Sequence, residues 1–305
     1  MGCSGSKGAL DGGGGGGGGG SPAELLNLGK EAEKYFARNG RVWYEEPPTT
    51  SGDDARAGDE ERLTFRSSDG VMLEGVLSRP TSGGGDDEDE GSYHQGGGNG
   101  GGGESYTGVG FVLCHPHPYL GGSMTNPLMA NLARRLAAAG IATLRFNFRG
   151  VGGSTGKRTW MRQGERADVM AAVHYLTQLH EVNPRKVYVA GYSFGAAVAL
   201  TALDESEHIR GFVGISYPWG VKSMLVPAQA PCRSVKPKLF LVASNDLLCR
   251  NFAEGATAEV MQLPRPRDLV VVQTDHSWSG AHRPLNRHIL DWLSTQSTGP
   301  APVPA

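Results

Sequence analysis

The chain has 305 residues, 38% of them apolar and 20% charged, with a formal net charge of −2. That balance gives no electrostatic reason to expect a nucleic-acid partner, and the acidic run Asp86–Glu90 would itself be repelled by phosphate. No apolar run reaches the ~18 residues of a membrane-spanning helix, and the four cysteines, at positions 3, 114, 232 and 249, lack paired or metal-ligand spacing, as expected of free thiols in a reducing compartment.

The first residues, Met1-Gly2-Cys3-Ser4-Gly5-Ser6-Lys7, match an N-myristoylation pattern, with Gly2 exposed once Met1 is removed. Cys3 beside it is a natural palmitoylation site, and two acyl chains anchor stably where one binds only reversibly. A lipid anchor at the cytoplasmic face of a membrane is therefore expected, the chain otherwise being cytoplasmic. Residues 1–22 read as a Gly-rich flexible leader, a tether of roughly 20 Å r.m.s. span. Residues 23–40 read as a short amphipathic helix, with Leu25, Leu26, Leu28, Ala32, Tyr35 and Phe36 at near-helical spacing.

Residues 61–296 carry the folded domain. Arg62–Arg66 and Met72–Leu77 alternate around Ser68-Asp69-Gly70, which predicts a hairpin. Residues 81–108, rich in Gly, Asp and Glu, hold too few apolar groups to offset their ordering entropy, and so form a disordered insertion. Six continuous apolar runs follow: Gly110–Cys114, Ile141–Phe146, Lys186–Ala190, Gly211–Ile215, Lys238–Ala243 and Asp268–Gln273. Between and after them, helical patterns cover 124–139, 164–180, 194–204, about 249–261 and 281–295. Strands apolar on both faces alternating with helices predict an α/β fold, an eight-stranded, mostly parallel sheet covered on both sides. Residues 297–305, rich in Pro and Ala, read as a disordered tail.

The densest chemical signal is Gly191-Tyr192-Ser193-Phe194-Gly195, which follows an apolar strand and opens a small-residue helix. That context is a nucleophile elbow, a turn that lifts a serine hydroxyl above the sheet edge. In a chain with 47 glycines the bare pattern carries little, and Gly152-Gly153-Ser154-Thr155-Gly156 also fits, but no helix starts on its last glycine. Context selects Ser193. A serine hydroxyl needs a base, and in this architecture an acid and then a histidine follow on loops leaving later strands. Asp246 and His276 occupy those places. Asp275 is a poorer acid because it adjoins His276, and His282 and His288 fall on the last helix. The developing oxyanion needs two backbone donors: the N–H of Phe194, and that of His117, which alone can donate after His115 in His115-Pro116-His117-Pro118. His115, Tyr119, Trp219 and Trp278 are candidate pocket residues. The two histidines have no accompanying cluster that would make a metal site, and no cofactor is implied. Arg149 ends a strand and either touches substrate or, as favoured, pairs with Asp168 or Glu165.

Together these motifs resemble the α/β-hydrolase superfamily, in particular its small dienelactone-hydrolase-like branch. The likeness rests on His115–Pro118 with Gly121, Gly122 and Met124, on Phe146–Gly152, on Gly191–Gly195 and on Asp275-His276, and it extends over about residues 61–295. The resemblance implies a serine hydrolase acting on an ester, thioester or amide by an acyl-enzyme route, with Ser193, Asp246 and His276 as a triad. Ala243-Ser244-Asn245-Asp246 departs from the Gly-Asp-x-Asp run common in relatives, though the last Asp is retained. The short stretch from Trp219 to Lys236 predicts an open site with no lid domain. The expected partner is an acyl ester or thioester, which the lipid anchor narrows to a membrane-resident one; a non-catalytic binding module and a serine peptidase are the rival readings.

Overall fold

The computed structural model describes residues 44–45, 60–80, 107–159, 162–219, 232–246 and 253–297. The Gly-rich leader with its two acylation candidates, the helix expected over 23–40, most of the acidic insertion and the tail beyond Ser297 lie outside them. Thr107 and Gly108, expected to end the insertion, already bond into the fold: Thr107 Oγ1 donates to Gly140 O at 2.7 Å, and Gly108 O accepts the Asn183 N–H at 2.8 Å.

Among the described residues nine strands form one sheet: β1 Tyr44–Glu45, β2 Glu60–Arg66, β3 Met72–Ser78, β4 Gly110–Cys114, β5 Ala142–Phe146, β6 Val187–Tyr192, β7 Ile209–Ile215, β8 Lys238–Ala243 and β9 Arg267–Val272. Their spatial order is β1-β9-β8-β7-β6-β4-β5-β3-β2. The eight expected strands are all present, and β1, two residues long, adds a parallel edge beside β9. β2 and β3 are the antiparallel hairpin, β3 pairs antiparallel with β5, and the remaining pairs are parallel. β4, β5, β6 and β8 are buried at every position, as the continuous apolar runs require of strands covered on both faces.

Among the described residues five α-helices supply the cover: α1 Pro127–Ala138, α2 Gln163–Thr177, α3 Phe194–Ala202, α4 Ala253–Gln262 and α5 His282–Ser297. Residues of α1 and α5, including Leu132, Leu136, Leu285 and Ile289, share one buried cluster with one face of the sheet. Residues of α2, α3 and α4, including Val173, Val198 and Val260, share the other. A fully buried side chain such as Leu132 or Phe111 contributes about 1.5–3 kcal/mol through removal from water. Helix α1 begins three residues later than its apolar spacing suggests, because Asn126 Oδ1 caps it by accepting the N–H of Leu128 and Met129. The Met124 N–H just before is drawn away to Asn147 Oδ1 at 2.8 Å.

Successive strands leave β4 in opposite directions, β5 on one side and β6 on the other. This is a topological switch point, where the loops at the carboxyl ends of the strands part and leave a crevice. Ser193 follows β6 and the His115–Leu120 loop follows β4, so both stand at that crevice.

Candidate active site

Strand β6 runs into Ser193, whose φ of 53° and ψ of −115° lie where side chains are rarely found. Such strain costs about 1–3 kcal/mol and persists only where the surroundings enforce it. They do so here. The Ser193 N–H donates to Ile215 O of β7 at 2.8 Å, and α3 departs at once on the other side. A Cβ on Gly191 would stand 2.2 Å from Gly195 C, and one on Gly195 would stand 2.2 Å from Cys114 O. Both glycines of the motif are therefore dictated by contact with backbone. The Ser193 side chain makes no capping bond to α3 and is half-buried.

The acid and base come from neighbouring strand ends. Beyond β8, the Asp246 N–H donates to Ala243 O at 3.3 Å, and the Asn245 N–H donates to Thr274 O at 3.0 Å, stitching the loop after β8 to the loop after β9. His276 Nδ1 then meets Asp246 Oδ2 at 2.7 Å, with Asp246 buried and the His276 side chain 16% exposed. A carboxylate only accepts, so the ring proton sits on Nδ1 and Nε2 carries the lone pair that a general base requires. The Tyr192 hydroxyl donates to His276 O at 2.6 Å, and the two rings lie 5.3 Å apart. Tyr192 thus ties the base's loop to the residue preceding Ser193. Among the described residues no hydrogen bond joins Ser193 Oγ to His276 itself; catalytic contacts of this kind often tighten only when substrate is bound. Asp275, the rival acid, accepts from Ser277 Oγ at 2.8 Å and from the Ser279 N–H at 3.3 Å, which makes it a turn cap. His282 and His288 lie on α5.

The loop after β4 turns sharply at Gly122, where a Cβ would stand 2.0 Å from Pro116 O. Among the described residues no acceptor takes the His117 N–H, while Phe194 is the first residue of α3 and its N–H has no partner within the helix. The His117 and Phe194 rings meet edge to face at 4.9 Å, so the side chains of the two residues expected to donate are in contact. His117 is buried, and burial and then the Arg158 charge lower its pKa, which keeps the ring neutral.

Of the candidate pocket residues, only Tyr119 is open to solvent, at 74% exposure. His115 is a brace instead of a wall: it is buried, Nδ1 bonds Pro116 O at 2.6 Å, and Nε2 accepts the Phe148 N–H at 3.1 Å. Trp278 is also corrected. It has no exposed surface, and its indole N–H donates to Ser216 Oγ at 3.0 Å inside the core. Trp219 is buried against Tyr217 and Phe240 at ring distances of 4.3 and 5.4 Å. Arg149 binds Asp168, as favoured, through Nη2 at 2.7 Å, and also Asp69 through Nη1 at 2.6 Å; Glu165 instead takes Thr159. Sequence reasoning passed over Tyr192, whose role depends on a partner far along the chain, and Arg158. The Arg158 guanidinium lies 2.9 Å from His117 Nε2 and stacks on the Tyr119 ring at 4.1 Å. Among the described residues no group of three or more His, Cys, Asp or Glu side chains is arranged to hold a metal ion.

A doubly covered, mostly parallel sheet with a strained serine after one central strand and an Asp–His pair beyond two later ones defines the α/β-hydrolase class. Residues 121–259 match the family model described as serine aminopeptidase S33, and the fold is that of the α/β hydrolases. A serine hydrolase homologue from Coxiella burnetii aligns at a TM-score of 0.59 with 24% identity, over 76% of this chain and 97% of that one. A Xanthomonas campestris α/β serine hydrolase described as lacking a lid aligns at 0.60 with 22% identity, over 85% and 100%. An esterase of Pyrococcus furiosus aligns at 0.60 with 18% identity, over 82% and 99%. In sequence, an uncharacterised Mycobacterium tuberculosis protein is 36% identical over 169 residues, 50% of this chain and 58% of that protein. An uncharacterised Rickettsia prowazekii protein is 38% identical over 107 residues, 35% and 44% respectively. The chain thus spans about half the length of the curated relatives it matches.

Proposed function

We propose that this chain is a serine hydrolase that cleaves an ester or thioester through an acyl-enzyme intermediate. Ser193 Oγ attacks the acyl carbon while His276 Nε2 takes its proton, and the proton then passes to the departing alcohol or thiol. Water, deprotonated by the same imidazole, attacks the acyl-serine, releases the acid and restores the Ser193 hydroxyl. Asp246 holds His276 in the tautomer that can accept, and the N–H groups of His117 and Phe194 hold the oxyanion. The observation that carries this reading is the 2.7 Å bond between His276 Nδ1 and Asp246 Oδ2, beside a serine forced to positive φ. A fluorophosphonate probe tests it. The native chain and Ser154→Ala should be labelled, and Ser193→Ala should not. Absence of label on the native chain would favour a non-catalytic module on the same fold.

The description of the matching family as an aminopeptidase favours a second reading, amide cleavage by the same residues. A panel of acyl esters, thioesters and aminoacyl amides separates the two. The N-terminal pattern at Gly2 and Cys3 supports a membrane-tethered enzyme with a membrane-resident substrate. Equal membrane association and equal rates on vesicle-bound substrate for the native chain and Gly2→Ala would remove that tether from the proposal.

A further inference from the structure

His117 stands between two donors. Its Nδ1 faces the Tyr119 N–H at 3.1 Å, and its Nε2 faces Arg158 Nη1 at 2.9 Å. A neutral imidazole accepts at one nitrogen and donates at the other, and protonation leaves it no acceptor at all. An arginine is always charged and only donates. One of the two contacts therefore sets donor against donor. The Tyr119 N–H is fixed, because it belongs to the backbone of the short 3₁₀ turn Pro118–Leu120 that His117 caps. The lone pair of His117 accordingly lies on Nδ1 and its proton on Nε2, pointing at the guanidinium.

Arg158 has the freedom to resolve this. Its side chain is exposed, it stacks on the exposed Tyr119 ring, and among the described residues it has no carboxylate partner. Arg149, by contrast, is buried between Asp168 and Asp69. An oxygen anion would accept from the His117 Nε2–H and from Arg158 together, turning a mismatch into two bonds. Bonds of this charge-assisted kind are roughly twice as strong as neutral ones. The His117 ring that Arg158 contacts abuts the ring of Phe194, the residue directly after Ser193.

We infer that Arg158, with the His117 ring, is a specificity element that recognises a carboxylate or phosphate carried by the substrate near its scissile carbonyl. The inference rests on the hydrolase reading and narrows its substrate class to acidic esters or thioesters. Two sources of the anion are open to test. Nitrophenyl pentanoate and nitrophenyl hemiglutarate place a methyl or a carboxylate at the acyl end, whereas glycerol butyrate and its phosphate place the charge on the alcohol.

For at least one pair the native enzyme should favour the acidic member in kcat/KM, and Arg158→Gln should lower that ratio roughly tenfold or more, with Arg158→Lys retaining part of it. Calorimetry on Ser193→Ala supplies a readout independent of turnover. Glutarate or glycerol phosphate should bind, and the added Arg158→Gln should abolish binding. A native enzyme indifferent to charge in both pairs, or a ratio unmoved by Arg158→Gln, would overturn the inference. Arg158-dependent binding in a chain that takes no fluorophosphonate label would support the anion site while overturning the hydrolase reading beneath it.

Discussion

His115 Nε2 accepts the Phe148 N–H at 3.1 Å, bracing the loop after β4 against the loop after β5. Because Phe148 must donate, the ring carries its proton on Nδ1, where Pro116 O lies 2.6 Å away. Burial pushes the His115 pKa down from 6.5 to about 4. An unfolded chain therefore takes up a proton near pH 6.5 that the folded chain refuses until about pH 4, so the brace is fully in force above that window and weakens as pH falls through it. The loss reaches up to roughly 3 kcal/mol. Urea unfolding at intervals from pH 7 to pH 4 should show it, and His115→Gln, less stable at neutral pH, should lose correspondingly less over the same range. Parallel curves for the two chains would remove His115 as the cause.

The Asp246–His276 bond makes a sharper demand on activity. Replacing Asp246 by Asn puts a donor or a neutral oxygen where a charged acceptor stood, and frees the ring to adopt the other tautomer, with Nε2 protonated. The turnover number should then fall by roughly 10³–10⁴. Asp246 is 4% exposed, so the melting temperature should be recorded alongside to show that the variant still folds. Turnover within about tenfold of native would mean that another group orients the base.

At Gly195 the demand is steric. A methyl group there would stand 2.2 Å from Cys114 O and 2.5 Å from His115 O, both backbone atoms at the end of β4. Neither can retreat without pulling β4 from β6, its partner in the sheet. Gly195→Ala should destabilise by about 3 kcal/mol, lowering the melting temperature by roughly 6–12 °C in a domain of this size. The displaced loop carries His117, so fluorophosphonate labelling should slow as well. A variant with native stability would show that α3 can shift as a body away from β4.

What the sequence discloses and what it withholds follow from the range of the interactions. The six parallel strands were legible because burial on both faces demands uninterrupted apolar runs, and Gly110–Cys114 and Lys238–Ala243 match the structure residue for residue. The strained turn at Ser193 and the pairing of Asp246 with His276 were legible because the architecture fixes the chain order of such groups. The His276–Asp246 contact then spans two adjacent strand ends, as that order implies. Side-chain direction was not legible. His115 and His117 lie two apart in one motif, yet the first turns inward to Phe148 and the second lies against Phe194, a difference set by strands that join only in the folded state. Trp278 was a candidate pocket residue, but at a φ of 58° it is fully buried, with its indole N–H bonded to Ser216 Oγ. Arg158 gave no signal at all, since its place depends on the Tyr119 ring.

Arg149 and Asp168 allow a test of what holds the loop after β5. Burial opposes the charge on Arg149, but bonds from Asp168 and Asp69 outweigh it and raise its pKa, and the same arginine lowers the pKa of Asp69. Asp168 has no exposed surface and accepts from both the Arg149 backbone N–H and its guanidinium. Truncating only the cation, as in Arg149→Met, leaves a buried carboxylate without its counter-charge and should cost about 3–5 kcal/mol. Removing both charges, as in Arg149→Met with Asp168→Leu, should recover part of that loss, because the burial penalty for the carboxylate goes with it. Denaturant unfolding of the single and double variants measures the difference. If the double variant were less stable than Arg149→Met by the full cost of a second independent lesion, Asp168 would be held by contacts other than Arg149, and the loop would owe its position to the Glu74–Asn147 bond and its neighbours instead.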